Sequence, residues 1–436
     1  MCPRPAAAQS AGPALSREKA KVRLVFSHPA AGVEGWPNVG YDFEARKAEL
    51  TARLRSACPS IEFLPAPVGR TEDDTARILA ADSEVDGYVL YLLGLPSSPV
   101  GALPASGRPV VVVNDLYGGG IGTMHGPRVA LVSSSNFDDA AQAVRSFEYL
   151  KRLRSSSLLD VVHGAPREAK AIEDTFGTKV RTLSAEELNA AYQKADPAEA
   201  RKCAAEWIRT AEKVMEPSEE EIGKSGRMYL AMRNLLGERG AQGIAVDCLT
   251  LFYAGQMPAY PCMGFFQLNN DGLVGACEAD LQSTISMLAI TYATGRPGYI
   301  SDPVIDTAKN QIVYAHCVAP TRVFGPHGPA NPFHIRSHSE DRKGACVRSL
   351  MPLGHVVTSL KFVPSQKTVV MHTARTVANI DEDKACRTKV AASIPNAQKM
   401  LEGWAHEWHR VTVYGDYRNR VKTLSALLGF KVMEEG

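Results

Sequence analysis

The feature that most constrains this chain is a set of short, nearly unbroken apolar runs. Residues 22–27 read VRLVFS, 87–93 GYVLYLL, 109–113 PVVVV and 129–132 VALV. Runs of this length suit strands buried on both faces. Helix-like stretches at 41–57 and 71–81, and a short run at 61–64, alternate with them. That alternation predicts a parallel sheet sandwiched by helices. Residues 21–157 are expected to form a Rossmann-like, or flavodoxin-like, domain. Residues 1–20, rich in Ala, Pro and Ser, read as a disordered leader. The glycines at 118, 119, 120 and 122 follow an expected strand. Their spacing is not GxGxxG, so a tight turn or a substrate-contacting loop is favoured over a dinucleotide site.

A second α/β domain is expected over 158–294. Strand-like runs at 158–162, 180–183 and 243–246 surround helical stretches at 165–176, 197–213 and 218–238. Asp196 followed by Pro197 is a helix-start signal. The segment 247–272 is poor in charge and rich in Gly, Pro and aromatics, and is expected to be loop lining a cleft. From 295 to 436 the texture changes. Strand-like runs recur at 311–315, 356–362, 368–372 and 411–414, and helices are expected at 389–401 and 420–428. The fold class is therefore α/β: two Rossmann-like parallel-sheet domains followed by a mostly β C-terminal domain.

Composition excludes some functions. The formal net charge is +2, from 49 basic and 47 acidic residues, so there is no field to hold nucleic acid. No apolar run approaches the length of a membrane span. Nine cysteines without a CxxC pair suit reduced, buried thiols, and a cytoplasmic location is expected. An exported form would require a start upstream of Met1.

Chemistry concentrates between Gly275 and Cys317. Glu278 and Asp280 precede a helix whose residues Leu281, Ile285, Leu288, Ala289 and Tyr292 share one face. Gly295 and Pro297 end it. Asp280 reads as a helix cap. Glu278 follows the small, uncharged Gly275, Ala276 and Cys277, an unusual setting for a solvated cap. Asp302 reads as the end of a short strand stopped by Pro303. His316 and Cys317 end the next strand. Carboxylates and an imidazole at this spacing can hold a divalent ion and move protons. His316 stays open between ligand, substrate contact and structural histidine.

The stretch 261–317, containing GACEAD, GRPGYISDP and YAHC, resembles the core of the L-fucose isomerase and L-arabinose isomerase superfamily. The C-terminal HRVTVYGDYRNRVKTLSALLGFKV is similar to that family's closing segment. The resemblance implies a metal-dependent aldose–ketose isomerase acting on a free monosaccharide through an enediolate. It implies Glu278 and Asp302 as catalytic residues, and Glu278, Asp302 and His409 as metal ligands, with His406 a competitor to His409. Mn²⁺ is the implied metal, with Mg²⁺ or Co²⁺ as alternatives. The implied partners are a small sugar and further copies of the chain, as a trimer or hexamer, with no nucleic acid and no membrane. A sugar epimerase or lyase, or a non-catalytic sugar-binding protein, are the rival readings. The segment 324–348 is dense in donors and places His334, Arg336 and His338 with Arg348 as candidate substrate contacts; otherwise it reads as a solvated loop.

Overall fold

The computed structural model describes residues 18–65, 68–82, 84–95, 98–162, 164 and 167–436. The expected leader lies outside them as far as residue 17, and Ala20 already opens the first strand. The chain divides into two compact units. One comprises Ser16–Arg152 with Asn419–Lys431, the other Leu153–Arg418 with Val432–Gly436.

The first unit is built on β1 (Ala20–Ser27), β2 (Ile61–Pro65), β3 (Gly87–Leu92), β4 (Val110–Asn114) and β5 (Val129–Ser133). All neighbours are parallel, in the order β2-β1-β3-β4-β5. β3 and β4 are strands buried along their whole length, as expected of runs covered on both faces, whereas β5 lies at the sheet edge with Leu131 exposed. Thr71 and Asp74 form a reciprocal cap that starts the helix Glu72–Ala81. The glycines after β4 form a tight turn in which Gly119 and Gly120 take positive φ.

The second unit contains the next parallel sheet. Its strands are β6 (Ser157–Val161), β7 (Lys179–Leu183), β9 (Gly243–Val246) and β10 (Val274–Cys277), ordered β10-β9-β6-β7; β8 (Lys213–Val214) lies elsewhere. A largely antiparallel sheet follows. It holds β11 (Tyr299–Asp306), β12 (Gln311–His316), β15 (Val356–Val363), β16 (Thr368–Asn379), β17 (Thr388–Ser393), β18 (Arg410–Tyr414) and β19 (Lys431–Glu434). A small third sheet joins β8 to β13 (Phe333–Arg336) and β14 (Cys346–Ser349). Two parallel sheets with helices and a mostly antiparallel β region match the expected fold class.

Several local expectations change. The segment after β9 is not a cleft-lining loop but two helices, Cys248–Tyr253 and Cys262–Asn270. Its lack of charge reflects burial: eight of the nine residues of the second helix are buried. The helix Leu281–Thr294 has no single apolar face; twelve of its residues are buried, so it is surrounded by protein. Residues 389–401 are not one helix. Val390 and Ala392 alternate into the core as β17, Pro395 interrupts, and only Ala397–Glu402 is helical. Asp302 does not end its strand either. β18 pairs with β11 only as far as Ser301, so Pro303 breaks no ladder bond on that side and β11 runs on to Asp306. The segment 324–348 is not a solvated loop: it supplies β13 and part of β14, and His334, Arg336, His338 and Arg348 are all buried.

Candidate metal centre

β10 carries the chain to Cys277, and the next two residues leave the strand in the left-handed region, Glu278 at φ 59° and Ala279 at φ 48°. Two successive non-glycine residues there cost about 1–2 kcal/mol each. Backbone bonds hold the turn, from Ala279 N–H to the Val246 carbonyl (3.0 Å) and from Asp280 N–H to the Cys277 carbonyl (3.3 Å). The turn delivers Asp280 as the cap of the helix Leu281–Thr294, where it accepts from Ser283 N–H.

The antiparallel sheet supplies the other groups. Asp302 lies on β11, His316 ends β12, and His409 immediately precedes β18, which runs antiparallel beside β11. Glu278, Asp302, His316 and His409 each present a ligand atom, and all four atoms lie within 4.8 Å of one another. His409 Nε2 is 3.1 Å from Asp302 Oδ1 and 3.5 Å from Glu278 Oε2. His316 Nε2 is 3.9 Å from Asp302 Oδ1.

The two imidazoles are held differently. His409 Nδ1 faces Asp280 Oδ2 at 3.0 Å. A carboxylate only accepts, so Nδ1 carries a proton, and in the neutral ring Nε2 keeps its lone pair toward the cluster. His316 Nδ1 accepts from the Cys317 N–H at 2.9 Å. Its neutral proton therefore sits on Nε2, which makes it a donor toward the cluster. Asp280 is more than the cap that its position suggests. Its Oδ2 also receives Lys361 Nζ at 3.0 Å, and Lys361 is fully buried on β15. Nothing in the sequence around Lys361 marked it, because its link to Asp280 spans 81 residues.

Charge in the cluster is unbalanced. Glu278, Asp280 and Asp302 face the ammonium of Lys361, which Glu407 shares at 3.0 Å, so negative charge is in excess even with His409 protonated. Burial opposes a charged His409, but the bond to Asp280 and the nearby Asp302 carboxylate outweigh it and push the imidazole up to about 10. Burial likewise works against ionised Asp302, yet His316 and His409 hold its carboxyl below its ordinary range. Asp302 Oδ1, His316 Nε2 and His409 Nε2 are buried without a hydrogen-bond partner. Partnerless buried atoms that converge are the mark of a site built for something further. Oxygen donors with one imidazole nitrogen and no thiolate suit a divalent ion of the Mn²⁺, Mg²⁺ or Co²⁺ kind. Glu278, Asp302 and His409 fit as its holders.

The remaining sequence candidates are not among those four residues. His334 Nε2 lies 3.5 Å from Glu212. Arg336 is paired with Glu216 at 2.6 Å, and Arg348 with Asp381 at 3.0 Å. His338 stacks on Tyr260, ring centres 4.5 Å apart. His406 takes positive φ and its carbonyl accepts from Arg410. Trp408, half-exposed, stacks on His409 at 5.9 Å and donates to the Pro303 carbonyl.

Fold and site together define an α/β protein with a carboxylate–imidazole cluster between a parallel and an antiparallel sheet. Comparison with known proteins then narrows the likeness. Sulfoquinovose isomerase of Alkalicoccus urumqiensis is 27% identical over 153 residues, 34% of this chain and 33% of that protein. The sulfoquinovose isomerase of Priestia aryabhattai is 29% identical over 135 residues, 29% of each chain, and that of Clostridium sp. (strain MSTE9) 29% over 148, 33% and 32%. The chain thus spans about a third of the length of the curated relatives it matches, and the likeness is to sugar isomerases over that part. No family model matches. A solved chain of a XylFII-LytSN complex aligns at 14% identity over 55% of this chain and 85% of that one, with a TM-score of 0.15 that carries no argument.

Proposed function

We propose that this protein is a divalent-metal-dependent aldose–ketose isomerase acting on a free monosaccharide, with the L-fucose and L-arabinose isomerases as its nearest functional type. The observation that carries the reading is the meeting of Glu278, Asp302 and His409 ligand atoms within 4.8 Å. The partial likeness to sulfoquinovose isomerases supports it.

Isomerisation removes a weakly acidic proton beside a carbonyl and returns it one carbon away. A bound divalent ion supplies Lewis-acid stabilisation of the charge that develops on the two sugar oxygens. The residues divide the rest. Asp302, held ionised, and His409, oriented by Asp280, are the fixed members. Glu278 is about a third exposed, with a long side chain leaving a left-handed turn, and suits the proton-moving role with Asp302 as its counterpart. His316 offers an Nε2–H to a substrate oxygen. Mn²⁺ is the proposed ion, with Mg²⁺ and Co²⁺ next. Assembly as a trimer or hexamer and a cytoplasmic location complete the proposal. No helix among the described residues is long and apolar enough to cross a membrane.

The test is a screen of pentoses, hexoses and 6-deoxyhexoses in D₂O with each metal, followed by NMR. The expected result is deuterium entering C1 or C2 of at least one sugar, lost in Glu278→Gln and Asp302→Asn. No exchange with any sugar would defeat the reading and favour a binding protein. Exchange confined to C2 without ketose formation would replace it with a C2 epimerase.

A further inference from the structure

The carboxyl edge of the second parallel sheet carries two more acids that the metal cluster does not use. Val246 of β9 pairs with Cys277 of β10, and Asp247 and Glu278 are the residues that follow them, both at the carboxyl edge of the sheet. On the other side of β9, Asp160 of β6 pairs with Ala245, and Val161 with Val246. The strands stay in register as they end: Asp247 N–H donates to the Val161 carbonyl at 2.9 Å. Just past Asp247, the Cys248 and Cys277 sulfurs touch at 3.1 Å, tying its segment to that of Glu278.

Neither acid has a partner that explains it. Asp160 is 1% exposed, and neither of its carboxyl oxygens has a hydrogen-bond partner. Asp247 stands in front of the helix Cys248–Tyr253 yet its side chain makes no capping bond. Paired residues of a parallel ladder face the same side, so Asp160 shares its face with the small side chains of Ala245 and Ala276. A buried carboxyl without a hydrogen bond destabilises the fold. Such groups are kept where a ligand satisfies them, and the carboxyl edge of a parallel sheet is where this architecture binds ligands.

We propose that Asp247, backed by the buried Asp160, is a hydroxyl-binding subsite that holds the part of the sugar remote from its carbonyl. The proposal rests on the isomerase reading and extends its site across the sheet edge. Asp247 accepts from sugar hydroxyls. Asp160 is a positioning residue behind it. Burial, and then the charge of Asp247, push the Asp160 carboxyl up to about 7, so at neutrality Asp160 is about half protonated and the pair carries less than two full negative charges. That arrangement favours a neutral polyol over a substrate with an anionic group at this end.

Alditols, which lack the carbonyl, decide the question without turnover. Arabinitol, fucitol and glucitol are titrated calorimetrically into full-length, metal-loaded protein, and bound metal is counted in each variant. Wild type is expected to bind at least one. Asp247→Asn and Asp247→Ala should weaken that binding about tenfold or more with metal content unchanged. Asp160→Asn should change the pH dependence of alditol affinity between pH 5 and 8. Wild type that binds none of the three, or Asp247→Asn that binds like wild type, overturns the subsite. Since these readings need no isomerisation, a failure of the isomerase assay leaves them decisive. Asp247→Asn keeps the side-chain size should Asp247→Ala fail to fold.

Discussion

At the scale of the residue, Asp280 shows how one side chain takes two tasks. It caps a helix and orients His409, and Lys361 fixes it in place. Asp280→Asn presents an amide whose NH₂ can face His409 Nδ1 and reverse the tautomer. The expected outcome is a loss of about 10–100-fold in metal affinity, read by competition with a chelator, with the helix intact by circular dichroism. Asp160 sets a pH signature. Its carboxyl titrates at about 7 in the folded chain against an ordinary 3.8. Between those values the folded state keeps a proton that the unfolded state has released, so stability falls as pH rises through that window. The full difference is worth up to about 4 kcal/mol. Thermal melts should therefore show Asp160→Asn gaining on wild type from pH 4 to pH 8. A constant gap would show that Asp160 is not held protonated.

At the scale of the element, the site depends on where β10 ends. Gly275 lets β10 lie against the helix Cys262–Asn270: a Cβ there would come 2.7 Å from the Phe265 Cα. Backbone cannot yield as a side chain does. Gly275→Ala should cost about 1–3 kcal/mol and displace Glu278, visible as a lower Tm together with weaker metal binding. The sequence marked this region well. Small residues before Glu278, a helix start at Asp280 and a helix stop at Gly295 are local signals, and Gly295 does end the helix at φ 69°. It misled where local texture has two meanings. Low charge over 247–272 suggested a cleft lining but came from burial. Residues 389–401 were expected to be helix, but Val390 and Ala392 face the core at strand spacing.

At the scale of the whole molecule, three carboxylates are held close together at a cost that folding alone does not recover. An ion that binds only the folded chain adds stability by mass action. Addition of Mn²⁺ or Mg²⁺ to the full chain should raise Tm, by an amount that grows with metal concentration. Glu278→Gln and Asp302→Asn should each show a Tm that does not move with metal concentration. A Tm unmoved by any divalent ion in wild type would mean that the cluster does not bind one.

The alternation of buried strands and helices and the helix boundaries around 281–295 were legible in the amino-acid sequence, because apolar run length and caps act over a few residues; Glu278, Asp302 and His409 were singled out together by the resemblance of 261–317 and of the closing segment to the sugar isomerase superfamily. Only the tertiary structure shows that His409 turns its Nε2 toward them, that Asp280 and Lys361 orient it, and that Asp160 and Asp247 share the sheet edge with Glu278. Asp280 and His409 are 129 residues apart. Their meeting depends on strand order and register, which the packing of the whole chain sets and no local pattern encodes.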